Sequence, residues 1–122
     1  MSQESIQLKR AYDEVEEADG YRILVERLWP RGVKKEALHC QLWAKEMAPS
    51  KELRQWYQHD TAKFPEFQER YLAELADNPA KEKFLQTVQE ALAEGPVTFV
   101  FSSKEERYNS ASVLKAWVES QS

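Results

Sequence analysis

The chain has 122 residues, 17 Lys or Arg against 21 Asp or Glu, for a formal net charge of −4. That length suits one domain with a real core, and the negative balance argues against a broad nucleic-acid-binding face, which is normally basic. No apolar run nears the roughly 18–20 residues of a membrane span, the polar start is unlike a secretory leader, and the one cysteine, Cys40, excludes an intrachain disulfide. The expectation is a cytoplasmic protein with a single α/β domain over residues 1–122.

Residues 6–12 alternate and read as a first strand. Residues 13–20 are an acidic connection, expected as a solvated loop and ended by an Asp-Gly turn signal. Tyr21, Arg22, Ile23, Leu24 and Val25 read as a buried second strand. At its end stands the run Arg27-Leu28-Trp29-Pro30-Arg31-Gly32, followed by a short helix over residues 33–38. Residues 42–47 read as a third strand, because Pro49 closes them within a strand's length. Ser50 makes a good N-cap for a helix over residues 51–58. Pro65 suits the first turn of the next helix, with Phe67, Tyr71, Leu72 and Leu75 on one face. Asn78-Pro79 reads as a cap followed by proline at the first helical position. Phe84, Leu85, Val88 and Leu92 form that helix's apolar stripe, and Gly95-Pro96 ends it. Residues 97–101 are the clearest strand, apolar enough to lie centrally in a covered sheet. The last helix starts near Asn109 or Ser110, with Val113, Leu114, Trp117 and Val118 inward.

Strands interleaved with helices predict an α/β layered fold, a mostly parallel sheet of about four strands covered by helices. The first two strands, so close in sequence, read as a hairpin. Parallel strands place their carboxyl ends along one edge, where α/β proteins usually bind ligands. The loops at residues 27–32, 48–50 and 102–109 would converge there.

Four ordered segments carry a resemblance that covers nearly the whole chain. They are the run from Tyr21 to Val33, Leu42-Trp43-Ala44-Lys45-Glu46-Met47-Ala48-Pro49-Ser50, Leu53-Arg54-Gln55-Trp56-Tyr57-Gln58-His59-Asp60 and Asn109-Ser110-Ala111-Ser112-Val113-Leu114. Together they resemble the motif series of the YeaO-like bacterial proteins, part of a wider family known only as a domain of unknown function. The resemblance implies a compact bacterial, cytoplasmic α/β domain and brings no established reaction, substrate or cofactor. Relatives usually have Asp where this chain has Glu26, and small residues before a Lys-Asp pair where it has Ser102-Ser103-Lys104-Glu105. The wider family often has a Cys-His-Arg run near the place of Arg107-Tyr108-Asn109, so thiol or imidazole chemistry of such members does not carry over.

The residues nominate a site. Arg27 and Arg31 are candidate anion ligands, since a guanidinium matches carboxylate and phosphate bidentately; the alternative is a structural role, paired with Glu26 or Glu46. Trp29 is a candidate stacking contact set against plain packing. Ser102, Ser103 and Lys104 follow the central strand and precede a helix, a place that favours anions, although no Gly-rich phosphate loop is present. Asn109 is a helix cap first and a ligand contact second. His59 and Lys104 are the acid-base candidates; Asp60, beside His59, has an easy alternative in capping the following turn. Cys40 beside His39 reads as a small hydrophobe, and two adjacent donors make no metal site.

Two function classes follow. One is a small enzyme or ligand-binding domain handling a small anionic ligand, bearing phosphate or carboxylate, at the carboxyl edge of the sheet. The other is a non-catalytic protein- or nucleic-acid-interaction module using the same Arg and Trp loops. A homodimer with Trp56-Tyr57 in its seam is a third, non-catalytic reading. A concave pocket containing Arg27, Arg31 and Lys104 favours the first class and a flat aromatic patch the second. No cofactor can be named.

Overall fold

A computed structural model describes residues 6–58, 60–105 and 108–121. Strands β1 (Gln7–Arg10), β2 (Tyr21–Leu24), β3 (Leu42–Trp43) and β4 (Val97–Phe101) form one sheet in the order β1-β4-β2-β3. Every pairing is parallel: Phe99 lies opposite Leu8 on one side and Ile23 on the other, and Ile23 also lies opposite Leu42. The fold is the expected α/β layered one, with the wholly buried β4 inside the sheet.

The first two strands are not a hairpin, because β4 lies between them. Their connection crosses over through a 3-10 turn at Glu17–Asp19 and re-enters the sheet at Gly20. That residue has φ +65°, and a Cβ there would lie 2.2 Å from the Pro96 carbonyl oxygen. Glycine is needed both for the backbone conformation and for the close approach. Directly after it, Tyr21 N–H donates to that same carbonyl at 2.9 Å, which starts β2 alongside β4.

The acidic connection is only partly solvated. Asp19 is 4% exposed and Arg22, on β2, 2% exposed. Arg22 Nη1 pairs with Asp19 Oδ2 at 2.6 Å, while Arg22 Nε donates to the Leu38 carbonyl at 3.0 Å. Lys9 Nζ reaches Asp19 Oδ1 at 3.0 Å. A guanidinium is tolerated in this interior because its charge is paired and two of its three nitrogens are hydrogen-bonded, Nη2 being buried without a partner. Burial alone would raise the Asp19 carboxyl, but the Glu16 backbone N–H, Lys9 and Arg22 outweigh it and hold the group below its ordinary 3.8.

Five helices complete the chain: α1 (Lys35–Leu38), α2 (Lys51–Tyr57), α3 (Phe64–Ala76), α4 (Lys81–Glu94) and α5 (Ser110–Ser120). Successive strand residues point to opposite faces, and two separate clusters result. On one face Ile23, Phe99 and Phe101 pack with Tyr57, Phe67, Val88 and Leu114 from α2 to α5. On the other, Leu24 and Val100 meet Leu38, with Trp29 and Trp43 packed against them. The helical cover is therefore lopsided, with α1 and the loop before it serving one side alone.

Several boundaries differ from expectation. Residues 42–47 are not a continuous strand: only Leu42–Trp43 pairs, and Met47 N–H turns back to the Ala44 carbonyl to make a 3-10 turn at Lys45–Met47. Tyr71 Oη secures that turn by donating to the Met47 carbonyl at 2.5 Å. Helix α4 starts at Lys81 rather than Pro79, because Asn78 Oδ1 accepts from Ala80 N–H and closes a turn ahead of the helix. Helix α1 and strand β1 are also shorter than their sequence patterns. The caps hold: Ser50 Oγ accepts from Leu53 N–H, and Asn109 Oδ1 accepts from Ser112 N–H. Among the described residues no helix is long and apolar enough to cross a membrane.

Asp19→Asn should lower stability by about 3–5 kcal/mol, the usual cost of stripping one partner from a buried ion pair. A carboxyl held below its unfolded pKa contributes stability that is complete above that pKa and lost as pH falls through the folded value. Urea unfolding from pH 7 down to pH 2 should therefore show an acid limb starting near pH 4 that is smaller in the variant. Equal limbs in both proteins would remove Asp19 from the acid response.

Candidate functional site

The three loops expected at the carboxyl edge do converge. A cleft of about 1090 Å³ is lined by residues 27–31 after β2, by Ala48 and Pro49 before α2, by residues 102–105 after β4, and by Asn109 and Ser110 at the start of α5. Residues of α2 and α3 (Arg54, Gln55, Tyr57 and Phe67) also line it, as does Tyr12 beyond β1.

The cleft wall is built by two bridges between strand exits. Glu26, just past β2, accepts from Ser102 N–H at 3.0 Å and from Ser102 Oγ at 2.5 Å, both through Oε1. This ties the exits of the neighbouring strands β2 and β4. From the far side, Arg10 on β1 donates through Nε to the Ser103 carbonyl at 2.9 Å and through Nη2 to the Ser102 carbonyl at 3.2 Å. Tyr12, over whose ring the Arg10 guanidinium lies at 5.3 Å, donates to the Arg31 carbonyl at 3.0 Å. The turn after β4 is thus clamped by a carboxylate on one side and a guanidinium on the other.

Arg27 and Arg31 are exposed, line the cleft, and among the described residues join no ion pair. Glu26, considered as their structural partner, is engaged with Ser102 instead. Trp29 is half-buried: its Nε1–H donates to the Val33 carbonyl at 2.7 Å, and its ring meets Trp43 edge-on at 5.3 Å. Its indole N–H is therefore occupied within the loop. Ser102 Oγ is likewise taken by Glu26, and Ser103 Oγ accepts from Glu105 N–H at 3.1 Å. Lys104 is exposed at the rim. Asn109 is 4% exposed and, besides capping α5, donates from Nδ2 to the Glu105 carbonyl. His59 lies outside the described residues; Asp60 Oδ1 caps the following turn through Ala62 N–H at 3.1 Å.

Arg54 is the residue that sequence reasoning passed over. It sits on α2, half-buried, facing the cleft, and its Nε is buried without a hydrogen-bond partner. Its motif neighbours gave no signal, since a single Arg on a short helix reads as ordinary surface. Tyr57, one turn on, donates to the Tyr108 carbonyl at 2.6 Å; burial, aided by Glu105 and Asp60, pushes its phenol above the ordinary range, so it remains a donor. Among the described residues four cations, Arg27, Arg31, Arg54 and Lys104, therefore line the cleft against two carboxylates, Glu26 and Glu105. In a chain of net charge −4 this is a local reversal of sign.

Both residues considered for a dimer seam make contacts within this chain. Tyr57 is buried and stacks on Phe67 at 4.2 Å, and Trp56 carries Lys63 and Arg70 over its ring at 5.0 and 4.5 Å. Among the described residues no group of three His, Cys, Asp or Glu side chains is placed to hold a metal. Cys40 lies away from the cleft, packed against the smaller cluster. Burial pushes its thiol up to about 11, against a smaller opposing pull from Arg22.

These features define a class: a small parallel α/β domain with a cationic cleft at the carboxyl edge of its sheet. The chain belongs to the family described as the inactive DUF488-N3 subclade, whose model matches residues 5–122. It is 44% identical over 116 residues to the uncharacterized protein YeaO of Escherichia coli, covering 95% of this chain and 98% of that protein. Uncharacterized proteins of Mycobacterium tuberculosis and Mycobacterium bovis are each 44% identical over 75 residues, 62% of this chain and 64% of theirs. No solved structure matches.

The Cys40 thiol titrates near 11 rather than its ordinary 9.0. At pH 8 it should therefore react with iodoacetamide about 10²-fold more slowly than a small free thiol, because the thiolate is the nucleophile. Alkylation of the folded protein at the free-thiol rate would contradict this environment.

Proposed function

We propose that the domain binds a small anionic ligand in the cleft at the carboxyl edge of its sheet, and that it does so without catalysing a reaction. The observation that carries this reading is the Arg54 guanidinium, with a buried, unpartnered Nε in a cleft that Arg27, Arg31 and Lys104 also line. Leaving a buried donor unmade typically costs about 1–3 kcal/mol. An anion bound at the same guanidinium would compensate a charge that no carboxylate among the described residues pairs with. Arginine is suited to the task because its planar fork meets carboxylate or phosphate oxygens two at a time.

Binding is favoured over turnover for two reasons. The Ser102 hydroxyl is taken by Glu26 and the Ser103 hydroxyl accepts from Glu105 N–H within its own turn, which leaves Lys104 as a point charge with no base beside it among the described contacts. The family is moreover described as an inactive subclade. In this reading Lys104 contributes charge, Asn109 holds the start of α5, and Trp29 shapes the loop that presents Arg27 and Arg31.

The test pairs affinity with stability. Inorganic phosphate and citrate, titrated at low ionic strength and followed by calorimetry, should bind saturably. The double substitution Arg27→Gln with Arg31→Gln should weaken binding about tenfold or more and leave the melting temperature nearly unchanged, since neither side chain has a hydrogen-bond or ion-pair partner among the described residues. Arg54→Met should also abolish binding, yet leave the unliganded domain as stable or more so, because it removes an unsatisfied donor while keeping the apolar stem. Unaltered affinity in these variants, or unfolding of Arg54→Met, would assign the arginines to the scaffold.

A further inference from the structure

We infer that the ligand is a phosphate monoester carrying a hydrogen-bond donor, a hydroxyl or an ammonium, a few atoms from its phosphate, and that Glu26 selects for that donor. The inference rests on the anion-binding reading above and names the rest of the molecule that fills the cleft.

Three observations converge on it. The first is charge: among the described residues four cations against two carboxylates leave an excess of two positive charges in the lining. A phosphate monoester carries a charge of about −1.5 to −2 near neutral pH, so it balances the cleft where a single carboxylate would not. The second is size. A volume of about 1090 Å³ matches the roughly 300–1,000 Å³ of clefts that enclose a whole organic molecule, and a bare phosphate would leave most of it empty. The occupant has a body beyond its anion.

The third observation is the carboxylate itself. Glu26 lines the cleft among the arginines, and both hydrogen bonds it accepts from Ser102 go to Oε1. Oε2 accepts none from the described residues. A carboxylate repels a phosphate, so its place among the cations works against binding a simple anion. It favours a molecule that brings a donor to Oε2. Because Oε1 is held by the backbone and hydroxyl of Ser102, the carboxylate is restrained before the ligand arrives, and such preorganisation lowers the ordering cost of a single polar contact.

Calorimetry with four probes tests this: inorganic phosphate, ethyl phosphate, glycerol 3-phosphate and O-phosphoethanolamine. Glycerol 3-phosphate adds hydroxyls on a chain one carbon longer and O-phosphoethanolamine adds an ammonium to the same ethyl chain, so they separate the two kinds of donor. At least one should bind about tenfold or more tightly than ethyl phosphate, the usual gain from one hydrogen bond to a charged acceptor. Glu26→Gln retains a carbonyl oxygen for Ser102 but replaces the free acceptor with an amide. It should bring that ratio toward one without weakening ethyl phosphate. Equal binding of the three esters to the unaltered protein would overturn the role of Glu26 and leave anion binding standing. No saturable binding of any probe would overturn both. The comparison among ligands on the unaltered protein holds even if Glu26→Gln fails to fold.

Discussion

Strand β4 is parallel to both of its neighbours, and almost everything else follows from that constraint. Because β1 and β2 run alongside it in the same direction, the chain leaves all three strands at one edge. Residues distant in sequence are thereby brought within hydrogen-bonding range: Glu26 reaches Ser102 from one side and Arg10 reaches Ser102 and Ser103 from the other. An antiparallel β2 would send residues 27–31 to the opposite end of the sheet, and no cleft would contain both loops. The pairing is made possible where the chain is tightest, at Gly20 against Pro96.

Polar groups in this domain are used in two distinct ways. Arg22 and Asp19 are buried as a pair and, with Lys9, fasten the crossing between β1 and β2 to the sheet. Arg54 has no such partner, although it comes from a helix otherwise well tied down by its Ser50 cap. Each guanidinium has one buried nitrogen without a hydrogen-bond partner, Nη2 in Arg22 and Nε in Arg54, but only Arg22 has a carboxylate to pair its charge, while Arg54 lines the cleft where the strands end.

Much of the architecture was legible in the sequence because its signals were local. Five successive buried-type residues announced β4, Ser50 and Asn109 announced their helices, and the apolar spacing of Phe67, Tyr71 and Leu75 marked the inward face of α3. The edge carrying the site followed from the alternation of strands and helices. What could not be read was set by contacts across the chain. A ten-residue connection suggests a hairpin, and only the insertion of β4, over seventy residues later, rules it out. The sequence offered no partner for Arg22, because Asp19 and the Leu38 carbonyl come from two different connections. Arg54 gave no pattern at all, since what sets it apart is a missing partner rather than a spacing.

The position of β4 also has a consequence for how the protein is made. The central strand is the last to leave the ribosome, and β1 pairs with nothing else in the sheet. Until residues 97–101 emerge, the only strand contact available is the two-residue match of β2 with β3. The earlier strands and the amphipathic helices α3 and α4 must wait with their apolar faces uncovered, while closure of the sheet joins segments about ninety residues apart. Such distant pairing is slow and leaves nascent chains open to association. Assembly of this sheet is therefore deferred until residues 97–101 have been made, and the cleft, whose far wall follows β4, forms only after them.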